Sequence, residues 1–340
     1  MNKFNRELGS KNLIAAYGYE GGEVVQNDFD SRYPWCEIQR VVDENGNHWI
    51  RIPKFYTHYV VDENNIIKER YISQYRVEET WHLNPIFIDA NGSELPYVDI
   101  AAYQLSLDEN ENAKSIPGVQ PLADNKKSEQ DLITILNKYN NLEDGYQYAL
   151  YNVWSNILEQ DLFLIEFAQL EAGTVDSKML VMHGRGGDKT ILSTGRTDNI
   201  ASLSGVISED GNDNYTSCMK YRGIENMFGN GYQYVAGITL DYGDIMVTDN
   251  QGVYKSSLAI PAKDGQVHKL AFDKTTKLVF PAVVEANGSY GDSYQGATGK
   301  KIMIKGWASG VSNGPFVHNF VSSAKSNAKI TFRMIRYLKQ

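Results

Sequence analysis

The fifteen-residue stretch Tyr221-Arg222-Gly223-Ile224-Glu225-Asn226-Met227-Phe228-Gly229-Asn230-Gly231-Tyr232-Gln233-Tyr234-Val235 constrains the fold more than any other part of the chain. It holds three glycines, two asparagines and four aromatic residues. The apolar spacing is too irregular for an amphipathic helix, and the glycines are too many for an ordinary strand. The segment therefore predicts a compact loop of tightly held backbone with aromatic rings packed around it.

The chain has 340 residues and is 42% hydrophobic, enough for one large domain or two smaller ones. A net charge of −9 leaves no basic surplus to neutralise phosphates, so nucleic acid is not an expected partner. Two cysteines, Cys36 and Cys218, are too few for a disulfide framework; a single bridge or two buried thiols remain open. No apolar run is long enough to span a membrane, and the first residues lack a signal-peptide core. Synthesis in a cytoplasm without a cleavable signal is the expectation. The 22 tyrosines and 29 glycines favour a binding scaffold over a cofactor enzyme, because a tyrosine ring packs while its hydroxyl stays wet.

Residues 1–30 show no clear period and read as an N-terminal arm; residues 31–340 read as one domain. Asn45-Gly46 predicts a hairpin turn within Val41–Ile50, and Asp62-Glu63-Asn64-Asn65 a second one with Ile66–Ile72 as its return strand. Residues 106–127 read as a long loop. Ser128 and Asp131 form a capping-box signature before a short helix that ends ahead of Asp144-Gly145. A longer helix is expected from Tyr146 to Leu170, with Glu159, Asp161 and Glu166 in a solvated or network role. Strands are expected at Ile238–Leu240, Asp244–Val247 and Leu278–Val284. Ile330–Met334 alternates and predicts a half-buried strand. Two main helices and a mostly antiparallel sheet make the expected class α+β.

The motifs of common chemistries fail on context. Gly310-Val311-Ser312-Asn313-Gly314 matches a nucleophile elbow, but Pro315 follows where a helix is needed, and no Asp or Glu occurs after Ser312. Asp210-Gly211-Asn212-Asp213-Asn214 begins like a calcium loop, but Tyr215 stands where glycine belongs and Tyr221 where the closing glutamate belongs. The glycines 184, 186 and 187 do not fit a dinucleotide fingerprint. His82 beside Trp81 and His318 near Phe316 read as packing positions. No cofactor, metal site or enzymatic activity is expected.

Arg222, Gly223, Asn226, Gly229, Asn230, Tyr232 and Tyr234 resemble the R-G-x-x-N-x-x-G-N-x-W-E-W signature of C-type-lectin-fold proteins related to the formylglycine-generating (sulfatase-modifying) enzymes. Three further segments resemble a phage-tail branch of that superfamily: Ile52-Pro53-Lys54-Phe55-Tyr56, Leu162–Phe167 and Thr331–Leu338. The family's W-E-W is Tyr232-Gln233-Tyr234 here, so the central carboxylate is gone. The late cysteine pair and the His-x-x-x-His-x-Glu of the family's enzymes are absent.

The resemblance implies a C-type-lectin-like fold without the family's enzymology. It points to a phage virion protein, a tail or tail-fibre adhesin that binds a host cell-surface receptor, either a glycan or a protein. The alternative is a head-fibre, baseplate or decoration protein that binds other phage subunits; a divergent enzyme of the formylglycine-generating type is the remote third. The arm would dock on other virion proteins, and a homotrimer is expected by analogy with fibres. The loop 285–318, rich in Gly, Ser, Asn, Tyr and Trp, has the residue mix of a paratope. Tyr290, Tyr294, Trp307 and Asn313 are its candidate receptor contacts.

Overall fold

Asp43, Asp62, Asp89 and Asp108 close four tight turns by one device. In each turn the carboxylate Oδ1 accepts from the backbone N–H groups two and four residues ahead, at 2.7–3.0 Å. The aspartate N–H donates to the carbonyl four residues on, and its own carbonyl accepts from the N–H three residues on. The fourth residue takes a positive φ: Gly46 (75°), Asn65 (61°), Gly92 (81°) and Glu111 (58°). All four read Asp-x-Asn in sequence. This is the Asx-turn chemistry that lets a short side chain stand in for backbone.

A computed structural model describes residues 2–8, 13–20, 29–123, 127–142, 144–168, 170, 190–207, 218–285, 292–306, 314–324 and 329–339. The chain opens with β1 (Asn2–Leu8), β2 (Leu13–Glu20), β3 (Gln39–Val42), β4 (His48–Pro53), β5 (Tyr56–Val61) and β6 (Ile67–Ser73). Then come β7 (His82–Leu83), β8 (Tyr97–Ala101), β9 (Ser106–Leu107), β10 (Ala113–Lys114), α1 (Glu129–Asn140), β11 (Tyr146–Leu150) and α2 (Val153–Phe167). The next strands are β12 (Gly205–Ile207), β13 (Cys218–Tyr221), β14 (Ile224–Glu225), β15 (Tyr232–Asp241), β16 (Asp244–Thr248) and β17 (Val253–Lys255). The last are β18 (Gly265–Phe272), β19 (Val279–Glu285), β20 (Ser293–Gln295), β21 (Lys301–Lys305), β22 (His318–Val321), β23 (Ile330–Thr331) and β24 (Met334–Leu338).

Two five-stranded sheets have the orders β1-β2-β6-β5-β7 and β11-β24-β8-β4-β3. A larger curled sheet runs β17-β16-β15-β21-β22-β20-β18-β19, with β23 added in parallel beside β15. The protein is therefore predominantly β, and the expected α+β class with a C-type-lectin-like helix pair is overturned. The main reason lies at Tyr146. Tyr146–Leu150 is an antiparallel strand against β24, and the long helix begins only after the Asn152 cap. Tyr146, Tyr148 and Leu150 alternate with Gln147 and Ala149 on a two-residue period, and Ala149 and Leu150 also fit the apolar face of a helix.

Other expectations shift for equally local reasons. Residues 1–30 are not free of regular structure: β1 and β2 form a hairpin that pairs with β6, and Gly18 sits inside β2 opposite Phe4. The loop 106–127 contains the β9–β10 pair, and 285–318 contains β20 and β21. Ile330–Met334 is buried on both faces, Arg333 included. Cys36 and Cys218 form no disulfide; Cys218 is buried and Cys36 exposed in the single turn Trp35–Glu37. The hairpin turns at Asn45-Gly46 and Asp62–Asn65, the Ser128–Asp131 capping box and the later strands stand where expected.

α2 is buried along its whole length, yet it carries Glu159, Asp161 and Glu166. Each carboxylate meets one cation from a different sheet region. Lys305 on β21 reaches Glu159 at 2.7 Å, and Arg222 after β13 reaches Glu166 at 2.5 Å. Arg70 on β6 meets Asp161 at 3.2 Å without hydrogen-bond alignment and lies over the Tyr59 ring. Buried charge is tolerated only when paired, so these contacts fix which strands can surround the helix.

Candidate functional site

The signature segment is the joint of this frame. Arg222 grips Glu166 through Nε and Nη2 and reaches Asp30 through Nη1. Asn226 holds a φ of 48°, and its Oδ1 accepts from the N–H of Met219. Asn230 Nδ2 donates to Gln104 Oε1 and to the Leu192 carbonyl, while its Oδ1 accepts from the Leu192 N–H. Gly231 has a φ of 98°, and a Cβ there would stand 2.8 Å from the Lys329 carbonyl, so no side chain fits. Tyr232 and Tyr234 are buried, with Tyr234 on Phe332. Gly223 and Gly229 turn the chain at positive φ between these anchors. Arg333 completes the joint by donating to the carbonyls of Ala101, Glu225 and Asn226 and to Gln233. The motif is thus buried and tied to its own surroundings, though Asn226 Nδ2 and Gln233 Nε2 have no hydrogen-bond partner among the described residues, and it offers little exposed surface to a ligand.

The open site lies elsewhere, between α1, β11, β24 and the β15–β16 hairpin. It is a cleft of about 280 Å³, at the small end of ligand pockets. Its floor is apolar: Ile86, Leu136, Leu150, Trp154 and Ile335. Its rim is made of amides: Asn137, Asn140, Gln147, Asn152 and Asn250. β15 is bulged between Val235 and Thr239 where it forms the wall, which puts Ala236 and Gly237 into the lining. Bulges commonly re-aim strands beside functional sites.

The rim amides differ in anchorage; Asn137 Oδ1 accepts from Asn140 Nδ2 at 3.2 Å. Asn140 pairs with both backbone groups of Tyr148, at 2.6 and 3.0 Å. Asn250 donates to the Ile88 carbonyl and accepts from the Tyr337 hydroxyl. Asn152 caps α2. The half-buried Gln147 side chain has no partner among the described residues. Among the described residues the one charged lining residue is Asp249, whose Oδ1 accepts from the N–H groups of Gln251 and Gly252.

A second groove of about 520 Å³ shares Pro85, Asp249 and Asn250 with the first. It carries more charge than the first, with Arg76, Glu79, Glu94 and Lys277 in its walls besides the shared Asp249. His82 lies in it against Phe272, ring centroids 4.8 Å apart, and burial pushes its pKa down to about 3. The imidazole is therefore a neutral packed ring at physiological pH.

The receptor candidates fare differently. Tyr294 is 1% exposed and packs against Phe280 and Phe320, so it offers no contact surface. Burial raises its hydroxyl pKa well above the ordinary tyrosine value. Tyr290, Trp307 and Asn313 lie outside the described residues, as do Asp210–Asn214, Ser312 and the glycines 184, 186 and 187. No group of His, Cys, Asp and Glu residues fit to hold a metal ion occurs among the described residues. No helix there is long and apolar enough to cross a membrane. The cleft residues escaped the sequence reading because Gln147 sat inside the misplaced helix. The cluster Asn137, Asn140, Asn141 ahead of Asp144-Gly145 was the signal available. No protein-family model matches the chain, and no curated protein matches it.

Proposed function

We propose that this chain is a phage virion protein, a tail or tail-fibre adhesin that binds a receptor on the host cell surface. The observation that carries the reading is the open, amide-rimmed cleft on a frame locked by buried ion pairs. A rigid frame holding a preformed polar cleft binds with little ordering cost. The four signature segments support the virion assignment by resemblance. On this reading the chain recognises without transforming, works as a homotrimer, and meets other virion proteins through residues 1–30. Binding of the purified protein to host cells, competed by added receptor, tests it. Absence of cell binding together with tight binding to capsid or tail subunits overturns it in favour of a decoration or baseplate role.

A further inference from the structure

We propose that the cleft between α1 and β11 is a subsite for an uncharged sugar unit of a surface glycan. The inference rests on the adhesin reading and names the ligand class of its site. Size is the first argument: about 280 Å³ suits a single ring of a larger ligand. Chemistry is the second. Carboxamides both donate and accept, which matches hydroxyl groups that do the same. The apolar floor suits the C–H faces of a sugar ring. Gln147 keeps both amide atoms without a partner among the described residues, so it meets a ligand with no internal bond to break.

Two competing occupants fit worse. A peptide would add to the free edge of β11, but that edge is closed. Asn140 occupies both backbone groups of Tyr148, and the Tyr146 N–H already donates to Asp144. An anionic ligand would find no cation in the lining among the described residues, where Asp249 is the only charge. The second groove borders the cleft at Pro85, Asp249 and Asn250.

The test uses the full chain and host cells, untreated or treated with periodate, which cleaves vicinal diols. Binding is expected to vanish on treated cells. It is expected to fall about tenfold in Gln147→Leu and in Asn137→Ala, the loss of one hydrogen-bond partner each. It is expected to hold from about 0.05 M to about 1 M salt, because no charge pair is made. Periodate-resistant binding, binding unchanged in both variants, or binding lost at high salt overturns the sugar subsite while the adhesin reading stands. Failure of the unmodified protein to bind untreated cells removes the adhesin reading itself.

Discussion

The surroundings of α2 and the cleft beneath α1 use polar side chains in opposite ways. Around α2 the carboxylates are buried and each lies beside a cation: Glu159 with Lys305, Asp161 with Arg70, Glu166 with Arg222. Around the cleft they are neutral amides, half-buried or exposed, and one of them is unengaged among the described residues. A buried charge accepts very few partners, so the first arrangement specifies a structure. A neutral amide at a surface can exchange water for a ligand at small cost, so the second leaves room for recognition. The difference separates what holds the molecule together from what it presents.

Breaking the interior should have the largest effect. Arg222→Met removes the cation beside buried Glu166 and should cost about 3–5 kcal/mol, read from denaturant midpoints. The double variant Arg222→Met with Glu166→Met should recover part of that loss, because an apolar pair leaves no orphan charge. A double variant no more stable than the single one would sink the pairing argument.

Acid comes next. Burial pushes the His318 pKa down to about 4, below its ordinary 6.5. The unfolded chain binds that proton first, so the contribution of His318 is present above pH 6.5 and is lost as pH falls through about 4. The loss is about 3 kcal/mol. Asp161 acts with opposite sign: burial raises its pKa from 3.8 to about 6, so its contribution is present below 3.8 and is lost as pH rises through 6. Comparing unfolding of the protein and of His318→Asn at pH 7 and pH 4 isolates the histidine. An equal acid loss in both would refute its role.

At the start of α1, Ser128→Ala removes the capping box and should cost about 1 kcal/mol, measured as a fall in melting temperature. Gln147→Leu should have the smallest effect on folding, within about 0.5 kcal/mol. That variant is the sharpest probe of the comparison, since it should impair binding and spare stability. A large stability loss would place Gln147 in the frame instead.

Much of the frame was legible where a local signal decides the local structure. The Ser128–Asp131 cap and the Asn45-Gly46 turn depend on neighbours in sequence, and the structure has both. Arg333 was not legible. Its alternation suggested an outward side chain, yet it points into carbonyls from Ala101, Glu225 and Asn226 that lie more than one hundred residues away. Tyr294 failed for the same reason, since a tyrosine in a polar loop looks exposed until β18, β19 and β22 close over it. The three α2 carboxylates were read as a network or a solvated face. Only the tertiary structure shows which cation each one meets.

The four Asp-x-Asn turns bear on how such a chain comes to fold. A β-rich architecture depends on contacts far apart in sequence, which close slowly because the chain entropy is lost before the contacts form. Each of these turns completes its own hydrogen bonds within five residues. It can form on the microsecond scale of an isolated hairpin, about 1–10 μs. Asp43, Asp62, Asp89 and Asp108 thus set four turns that close without distant partners in the first third of the chain. They shorten the effective distance over which the later strands must search.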